Sequence, residues 1–272
     1  MSGTLRARWI LPFVLLAAAW ALWRSAATPH WRTIAPGLEF TTLRGDPYCR
    51  RGSSTIAAVR FDPARVRLRV RHYTRSADRP MSIVEWQRET EVAVVFNAGQ
   101  FYPDLRYMGL LVSDGRAVSP RLHPGFQAAL VARLDGSGAH VLDLESEPLD
   151  PDSLVWGEVA QSFMLFERGG ALRVRHTDRI SNRTVVADDD HGRVVVFTSE
   201  GGYTLADFGD LLQRSPFGLV EAMSMDGGLE AEMVVRWGRF RYASFGDWNE
   251  KHAPAALGAQ VPLPAVVTLE LR

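Results

Sequence analysis

Three short motifs place polar side chains and glycines beside apolar runs, where a folded chain could present them to a ligand. In residues 96–101 (FNAGQF) an apolar run ends at Asn97 and Gly99. The Asn97 side-chain amide and the backbone N–H groups beside Gly99 could contact a ligand. Residues 181–184 (SNRT) put Arg183 at the start of a second run, where it suits a phosphate or carboxylate and equally a structural salt bridge. In residues 223–228 (MSMDGG), Asp226 follows a third apolar run. Asp226 suits a nucleophile, an acid or a metal ligand, and the motif equally suits a tight turn without a chemical role.

The elements that must position these motifs are mainly strands. Residues 65–71 alternate strictly between basic and apolar side chains, which predicts a strand whose arginines form either a solvated face or a wall for an anionic polymer. Helices are predicted at residues 82–90 and 204–213, the second capped by Thr204. Residues 30–51 predict an irregular entry segment, and the tail from 253 onward predicts no element. Further strands are predicted at 54–61, 92–96, 184–187, 194–197, 221–225, 233–236 and 240–243, with hairpins at 108–118, 127–144 and 162–174.

Many strands, few helices and hairpin connections predict an α+β fold with a mixed, largely antiparallel β-sheet core and a few flanking helices. No alternation of strands and helices runs long enough for a Rossmann or barrel fold. We expect residues 28–272 to form a single domain, because about 245 residues suffice for one large core.

Residues 1–27 have the parts of a targeting sequence. Arg6 and Arg8 precede an uncharged run from Trp9 to Trp23, and small residues follow it as at a cleavage site. As a helix this run would span about 22 Å, short of the roughly 30 Å hydrocarbon core, which favours a signal peptide. Arg24 and the flanking tryptophans favour a retained anchor instead. With either outcome we expect the domain to lie in the periplasm or outside the cell.

Composition narrows the classes of function. Lys+Arg and Asp+Glu balance at 31 each, so no net field recruits nucleic acid. Cys49 is the single cysteine, which excludes an intramolecular disulfide and a cysteine metal cluster. The serine-hydrolase elbow, the zinc-protease helix motif and the phosphate-binding P-loop are absent from the sequence.

Taken together, the motifs resemble those of the phosphodiester glycosidase family over about residues 92–245. Residues 97–101 resemble the family's NxGFF, 183–192 its RTxxG…dG, 202–208 its GxTLxELA, and 224–230 its NLDGGGS. The chain departs from these patterns where Gln100 replaces a Phe and where Leu229 and Glu230 replace Gly-Ser. The region before the predicted helix at 204 is also shortened. These departures indicate a glycan other than the family's usual substrate.

The resemblance implies cleavage of a glycosidic bond, classically one between a sugar and phosphate. It then assigns Asp226 as the principal catalytic carboxylate, Arg183 and Asn97 as anion-holding groups, and Glu200 or Glu230 as a second carboxylate. Backbone N–H groups of Gly99 and Gly228 would help to hold the anion. The expected substrate-binding residues are Asn97, Gly99, Thr184, Gly227, Gly228 and Glu230.

Two other functions stay open on the sequence. The altered loop after Gly228 suits a non-catalytic glycan-binding protein of exopolysaccharide or envelope assembly. A metal-dependent phosphoesterase would use Asp226 with residues 188–190, so we assign no definite cofactor and leave a divalent cation open. The expected partners are a glycan or glycosyl phosphate, and the membrane if the N-terminal segment is retained.

Overall fold

Strands dominate residues 29–246 and 261–272, which are the residues that this computed structural model describes. The predicted signal peptide or anchor at 1–27 lies outside them. The strands are β1 (Arg32–Ala35), β2 (Leu38–Arg44), β3 (Thr55–Phe61), β4 (Val66–His72), β5 (Val94–Asn97), β6 (Leu111–Ser113), β7 (Arg116–Ser119), β8 (Ala128–Ala132), β9 (His140–Asp143), β10 (Glu158–Phe166), β11 (Thr184–Asp189), β12 (Val194–Ser199), β13 (Leu219–Ser224), β14 (Met233–Trp237), β15 (Phe240–Ser244) and β16 (Ala265–Leu271). The helices are α1 (Tyr73–Ser76), α2 (Ile83–Thr90) and α3 (Leu205–Arg214), with a 3₁₀ turn at Gly228–Glu230.

The strands form two sheets. The larger has 11 strands, ordered β1-β2-β3-β12-β11-β13-β10-β6-β7, with β8 and β9 added beside β10. The smaller has 5 strands, ordered β15-β14-β5-β16-β4. Each pairing between these strands is antiparallel. Inward-facing side chains of both sheets form the main core, as alternation along each strand requires.

A helix covers the outer face of each sheet. Helix α3 packs Phe208, Leu211 and Leu212 against the larger sheet, and its N-cap Thr204 accepts a hydrogen bond from the Asp207 N–H. Helix α2 packs Ile83 and Trp86 against the smaller sheet. The resulting order of layers is helix, sheet, sheet, helix. None of the described helices is long and apolar enough to cross a membrane.

The largely antiparallel sheet with few helices is confirmed, but the fold is predominantly β (43% strand, 11% helix) rather than a balanced α+β fold. The prediction of an irregular segment at 30–51 is wrong, because Gly37, at φ +78°, turns the chain between β1 and β2. The tail without a predicted element contains β16, which lies between β5 and β4. In both places Gly and Pro close to the strands obscured the strand pattern.

The predicted alternating strand at 65–71 is β4, with its apolar side chains fully buried. Its basic face is divided: Arg65 and Arg67 are exposed to solvent, whereas Arg69 and Arg71 are half-buried and paired. Arg69 contacts Glu158 at 3.0 Å and Arg71 contacts Glu270 at 2.8 Å, both as ion pairs. Arg69 and Arg71 are therefore committed within the protein, and the face does not present four free arginines.

Candidate functional site

The three motifs converge where the two sheets meet. Strands β11 and β13 are neighbours in the larger sheet, so the start of β11 lies beside the end of β13, with Val185 opposite Ser224. The Met225 N–H then donates to the Thr184 carbonyl at 2.9 Å. The Asp226 N–H donates to the Ala98 carbonyl at 3.2 Å, which joins this loop to the chain just after β5 of the smaller sheet. Residues separated by more than 120 positions thus form one loop cluster.

Asn97 fixes this cluster from within. Its Nδ2 donates to the carbonyls of Asp226 and Ala98, each at 3.0 Å. Its Oδ1 accepts from Thr184 Oγ1 at 2.7 Å and from the Glu232 N–H at 3.2 Å. A side-chain amide has two donors and two acceptor lone pairs, so all four are used. Asn97 and Thr184 are both buried and position the Asp226 loop. The Asn97 amide, which was expected to contact the anion, is instead fully engaged by hydrogen bonds within the protein.

Asp226 is the acid of the cluster whose pKa is most strongly shifted. The pKa of its carboxyl is raised to about 7, mainly because the group is buried and in smaller part because of the charge of Glu230. Opposing this, Oδ1 accepts the Gly227 N–H at 2.9 Å, and Arg179 and Arg183 favour the charged form. A carboxyl that titrates near neutral pH is suited to proton transfer or to attack on a substrate.

Asp226 opens into a cavity of about 600 Å³. Gln100 and Phe163 lie on its wall, as do Arg173, Arg175, Arg179 and Arg183. Two larger cavities, of about 780 and 730 Å³, lie around Tyr102 and around Glu221. We assign function to the smaller one because a poised acid and several cations converge there, as recognition of an anionic substrate requires.

Arg183 is buried and is largely committed to the protein. Its Nε and Nη2 donate to the Tyr203 carbonyl at 3.1 and 2.9 Å, and Nη2 also donates to the Arg179 carbonyl at 2.9 Å. Its Nη1 lies beside Gly227, at 3.5 Å from the place a Cβ would take. The guanidinium therefore holds the cavity wall and turns one nitrogen toward the Asp226 loop.

The three glycines serve close packing. A Cβ on Gly99 would lie 2.4 Å from Tyr107 Oη, and one on Gly227 would lie 2.8 Å from the Asn182 carbonyl oxygen. Gly228 adopts φ +86°, which favours glycine. The backbone N–H groups of Gly99 and Gly228, which were expected to hold the anion, already have partners within the protein. The Gly99 N–H donates to Tyr107 Oη at 3.1 Å, and the Gly228 N–H donates to the Asn182 carbonyl at 3.0 Å.

The two candidates for a second carboxylate differ in place. Glu230 lies within electrostatic reach of Asp226, since its charge contributes to the raised pKa. Glu200 follows β12, and its carboxylate accepts from Tyr242 Oη at 2.7 Å and Ser53 Oγ at 3.0 Å. Neither glutamate is among the described residues that line the cavity, but Glu230 is the one whose charge acts on Asp226. Glu230 is therefore the better placed of the two.

The residues proposed for a metal-dependent phosphoesterase, Asp226 and 188–190, do not lie close enough together to bind one ion. Residues 188–190 lie at the far end of β11, whereas Asp226 lies beside Thr184 at its beginning. Four residues of strand separate the two ends by about 13 Å, too far for one ion. Asp189, Asp190 and His191 do bring ligand atoms within 4.8 Å of one another, but Asp189 is engaged by Arg193 at 2.7 Å. Asp226 and this turn therefore cannot share a cation.

Three lining residues were not assigned from the sequence. Gln100, noted only as a departure, donates to the Met225 carbonyl at 3.2 Å and accepts from Ser162 Oγ at 2.9 Å, so it ties β10 to the site. Arg175 and Arg179 lie in the segment before Arg183 that has no regular structure. Their repeated spacing ahead of Arg183 was the signal that could have found them.

The chain is similar to known proteins in sequence family and in fold. Residues 90–260 match the family model described as phosphodiester glycosidase. The catalytic domain of zebrafish N-acetylglucosamine-1-phosphodiester alpha-N-acetylglucosaminidase, auto-inhibited by its pro-peptide, is similar in fold: TM-score 0.61 and 17% identity over 90% of this chain and 87% of that one. A hypothetical protein from Synechocystis gives TM-score 0.64 and 12% identity over 91% of this chain.

This chain spans 65% of the Synechocystis protein, just under two thirds. At these identities the two structures show the fold alone. No curated protein matches the chain in sequence. The family model is a different kind of match, because it covers more than half of the sequence and contains all three motifs. This protein belongs to the phosphodiester glycosidase family.

Proposed function

We propose that this protein is an exported hydrolase that cleaves the glycosidic bond of a sugar phosphodiester in an envelope or extracellular glycan. The observation that carries the proposal is the Asp226 carboxyl, whose pKa burial raises to about 7, on the wall of an arginine-lined cavity. A phosphodiesterase would need this positive wall as much as a glycosidase. The family membership favours the sugar–oxygen bond as the one that breaks.

The chain's own groups suffice for a simple reaction. The arginines hold the phosphate, and Asp226 as carboxylate accepts the proton of a water that attacks the anomeric carbon. The C–O bond to phosphate breaks, and the phosphate oxygen keeps the electron pair. A phosphate leaves without protonation because its own pKa is low, so one carboxylate is sufficient. Activity should then rise with pH as Asp226 loses its proton.

The sugar and the cellular setting come from separate observations. N-acetylglucosamine is named for the zebrafish protein of similar fold, so we propose it as the first sugar to test. The proposed export rests on the N-terminal segment, with its basic start and uncharged run. If that segment is retained as an anchor, the enzyme acts on glycans at the membrane surface.

The test compares two substrates and two variants. Wild-type protein receives an α-N-acetylglucosaminyl phosphodiester and an aryl N-acetylglucosaminide, and the released sugar is measured. We expect cleavage of the diester, and a loss of about 100-fold or more in kcat for Asp226→Asn. Asp78→Asn, which changes an exposed acid away from the cavity, is the matched control. Full activity in Asp226→Asn would refute the assignment.

Binding of surface polysaccharide without any turnover would instead favour the glycan-binding alternative. One observation expected for that alternative is not met. Leu229, the bulky residue of the altered loop, is not among the described residues that line the cavity. It packs beside Gly246, where a Cβ would lie 2.8 Å from the Leu229 Cα. The cavity beside Asp226 is therefore open to a substrate.

A further inference from the structure

Two arginines on the cavity wall are not neutralised by any described residue. Arg175 and Arg179 line the cavity and are exposed, and neither guanidinium has an ion pair or hydrogen bond within the described part of the chain. The Arg179 carbonyl accepts from Arg183 Nη2 at 2.9 Å, which ties the segment to the site. Burial raises the pKa of Asp226, whereas the positive charge of Arg179 lowers it. Arg179 and Asp226 are therefore within electrostatic reach of each other.

The other two arginines of the wall are committed. Arg173 pairs with Glu167 at 2.7 Å and with Asp143 at 3.7 Å, and also contacts Glu145. Arg183 donates to two backbone carbonyls, as described above. Charge that is free to meet a ligand at this wall is therefore concentrated on Arg175 and Arg179.

The wall can bind more anionic groups than the one phosphodiester at the scissile bond. Such a diester has two unesterified oxygens that share a single negative charge, so one guanidinium can hold it with two parallel hydrogen bonds. Asp226 is the acid that lies on the wall among the described residues, and the other guanidinium is left for a second anion. Two unpaired guanidinium groups on one surface repel each other unless anions lie between them. Guanidinium also matches carboxylate and phosphate geometry, with two parallel hydrogen bonds per group.

We infer that Arg175 and Arg179 between them bind two anionic groups of the substrate, the phosphate at the scissile bond and a second one. The substrate is then a glycosyl phosphodiester that carries a further acid, as in a repeating phosphate polymer or an acidic glycan. This inference rests on the proposed function for the identity of the bond that breaks. Arginine is abundant in this chain, so the argument depends on position and on the lack of partners rather than on number.

The test uses three esters of α-N-acetylglucosaminyl phosphate that differ only in charge. The second ester group is ethanol, glycolic acid or ethylene glycol phosphate, which adds no charge, a carboxylate or a phosphate. Binding is measured by calorimetry in the Asp226→Asn background, so that no probe is consumed. Arg175→Gln, Arg179→Gln and the double variant are compared with Arg88→Gln, which removes an exposed arginine on α2.

We expect the two probes that carry a second anionic group to bind about tenfold more tightly than the ethanol ester at low ionic strength. Each single variant should reduce this ratio to about threefold, and the double variant should abolish it, whereas Arg88→Gln should keep it. The ratio should shrink as salt shortens the screening length to about 8 Å. The relative affinity of the carboxylate and phosphate probes distinguishes an acidic glycan from a phosphate polymer.

Equal affinity for all three probes, including no binding of any, would overturn the inference. A ratio that persists in the double variant would overturn it as well. The proposed function fails in a different way. If the charge preference is present but wild-type protein releases no sugar from any probe, the anion subsite stands and the hydrolase assignment does not.

Discussion

Replacing Asp226 by asparagine should stabilise the protein at alkaline pH. The pKa of this carboxyl rises from 3.8 to about 7 because folding buries it. The folded state therefore keeps a proton that the unfolded state releases between these two values. The free energy of unfolding then falls as pH rises through this window and becomes flat above about pH 7. Asparagine keeps the shape and has no charge to bury, so it escapes this loss.

The size of the effect follows from the same numbers. A pKa raised from 3.8 to about 7 corresponds to at most about 4 kcal/mol of destabilisation when the carboxyl is ionised. Asp226 retains some exposure to solvent, which screens its charge, so we expect about half of that, ~2 kcal/mol. The hydrogen bond from the Gly227 N–H at 2.9 Å is retained, because the asparagine oxygen also accepts it.

Urea unfolding of wild type and Asp226→Asn at about pH 8 and about pH 5 measures this directly. The variant should be more stable by ~2 kcal/mol at the higher pH and by less than half of that at the lower. Asp78→Asn should change the free energy of unfolding by no more than about 0.5 kcal/mol at either pH, because that acid is exposed. A variant that is no more stable than wild type at pH 8, or whose gain does not depend on pH, would refute the reasoning.

Three further changes test the neighbours of the catalytic acid. Burial is the main cause of the raised pKa of Asp226, and the negative charge of Glu230 is the second. Glu230→Gln removes that charge, so the pKa should fall and the acidic limb of kcat/KM against pH should move to lower pH. Asn97→Asp turns an acceptor toward the Asp226 carbonyl at 3.0 Å and should lower the free energy of unfolding by about 3 kcal/mol in chemical denaturation. Glu200→Gln should change kcat by less than about twofold, because Glu200 contacts Tyr242 outside the cavity; a loss of 100-fold or more would make it the second carboxylate.

Strand alternation made most of the fold predictable, and the exceptions have a physical cause. Strand β4 shows its register in the sequence because every second residue is apolar and buried. Strands β1 and β2 lie beside Gly37, and β16 follows a Pro-rich stretch, so turn residues outweighed a short alternation. Paired arginines on β4 could not be foreseen, because Glu158 and Glu270 come from distant strands.

For the site, the sequence predicted which loops matter better than what each group does. The family resemblance implied a common site for Asn97, Arg183 and Asp226, whereas the role of each depended on its partners. An amide is free to bind an anion only if nothing inside the protein uses it. Asn97 is engaged by groups more than 80 positions away in sequence, which spacing alone does not show.

The saturation of these groups explains how the site can be both rigid and selective. The Tyr107 hydroxyl donates to the Gln161 carbonyl at 2.9 Å and accepts the Gly99 N–H at 3.1 Å, which links the loop after β5 to β10. With Asn97 also saturated, little freedom is left for the backbone that carries Asp226, as preorganised catalysis requires. Arg175 and Arg179 lie instead on a segment without regular structure, where substitutions disturb no sheet. Selection for a different substrate would therefore act on that segment and leave the acid and its supports unchanged.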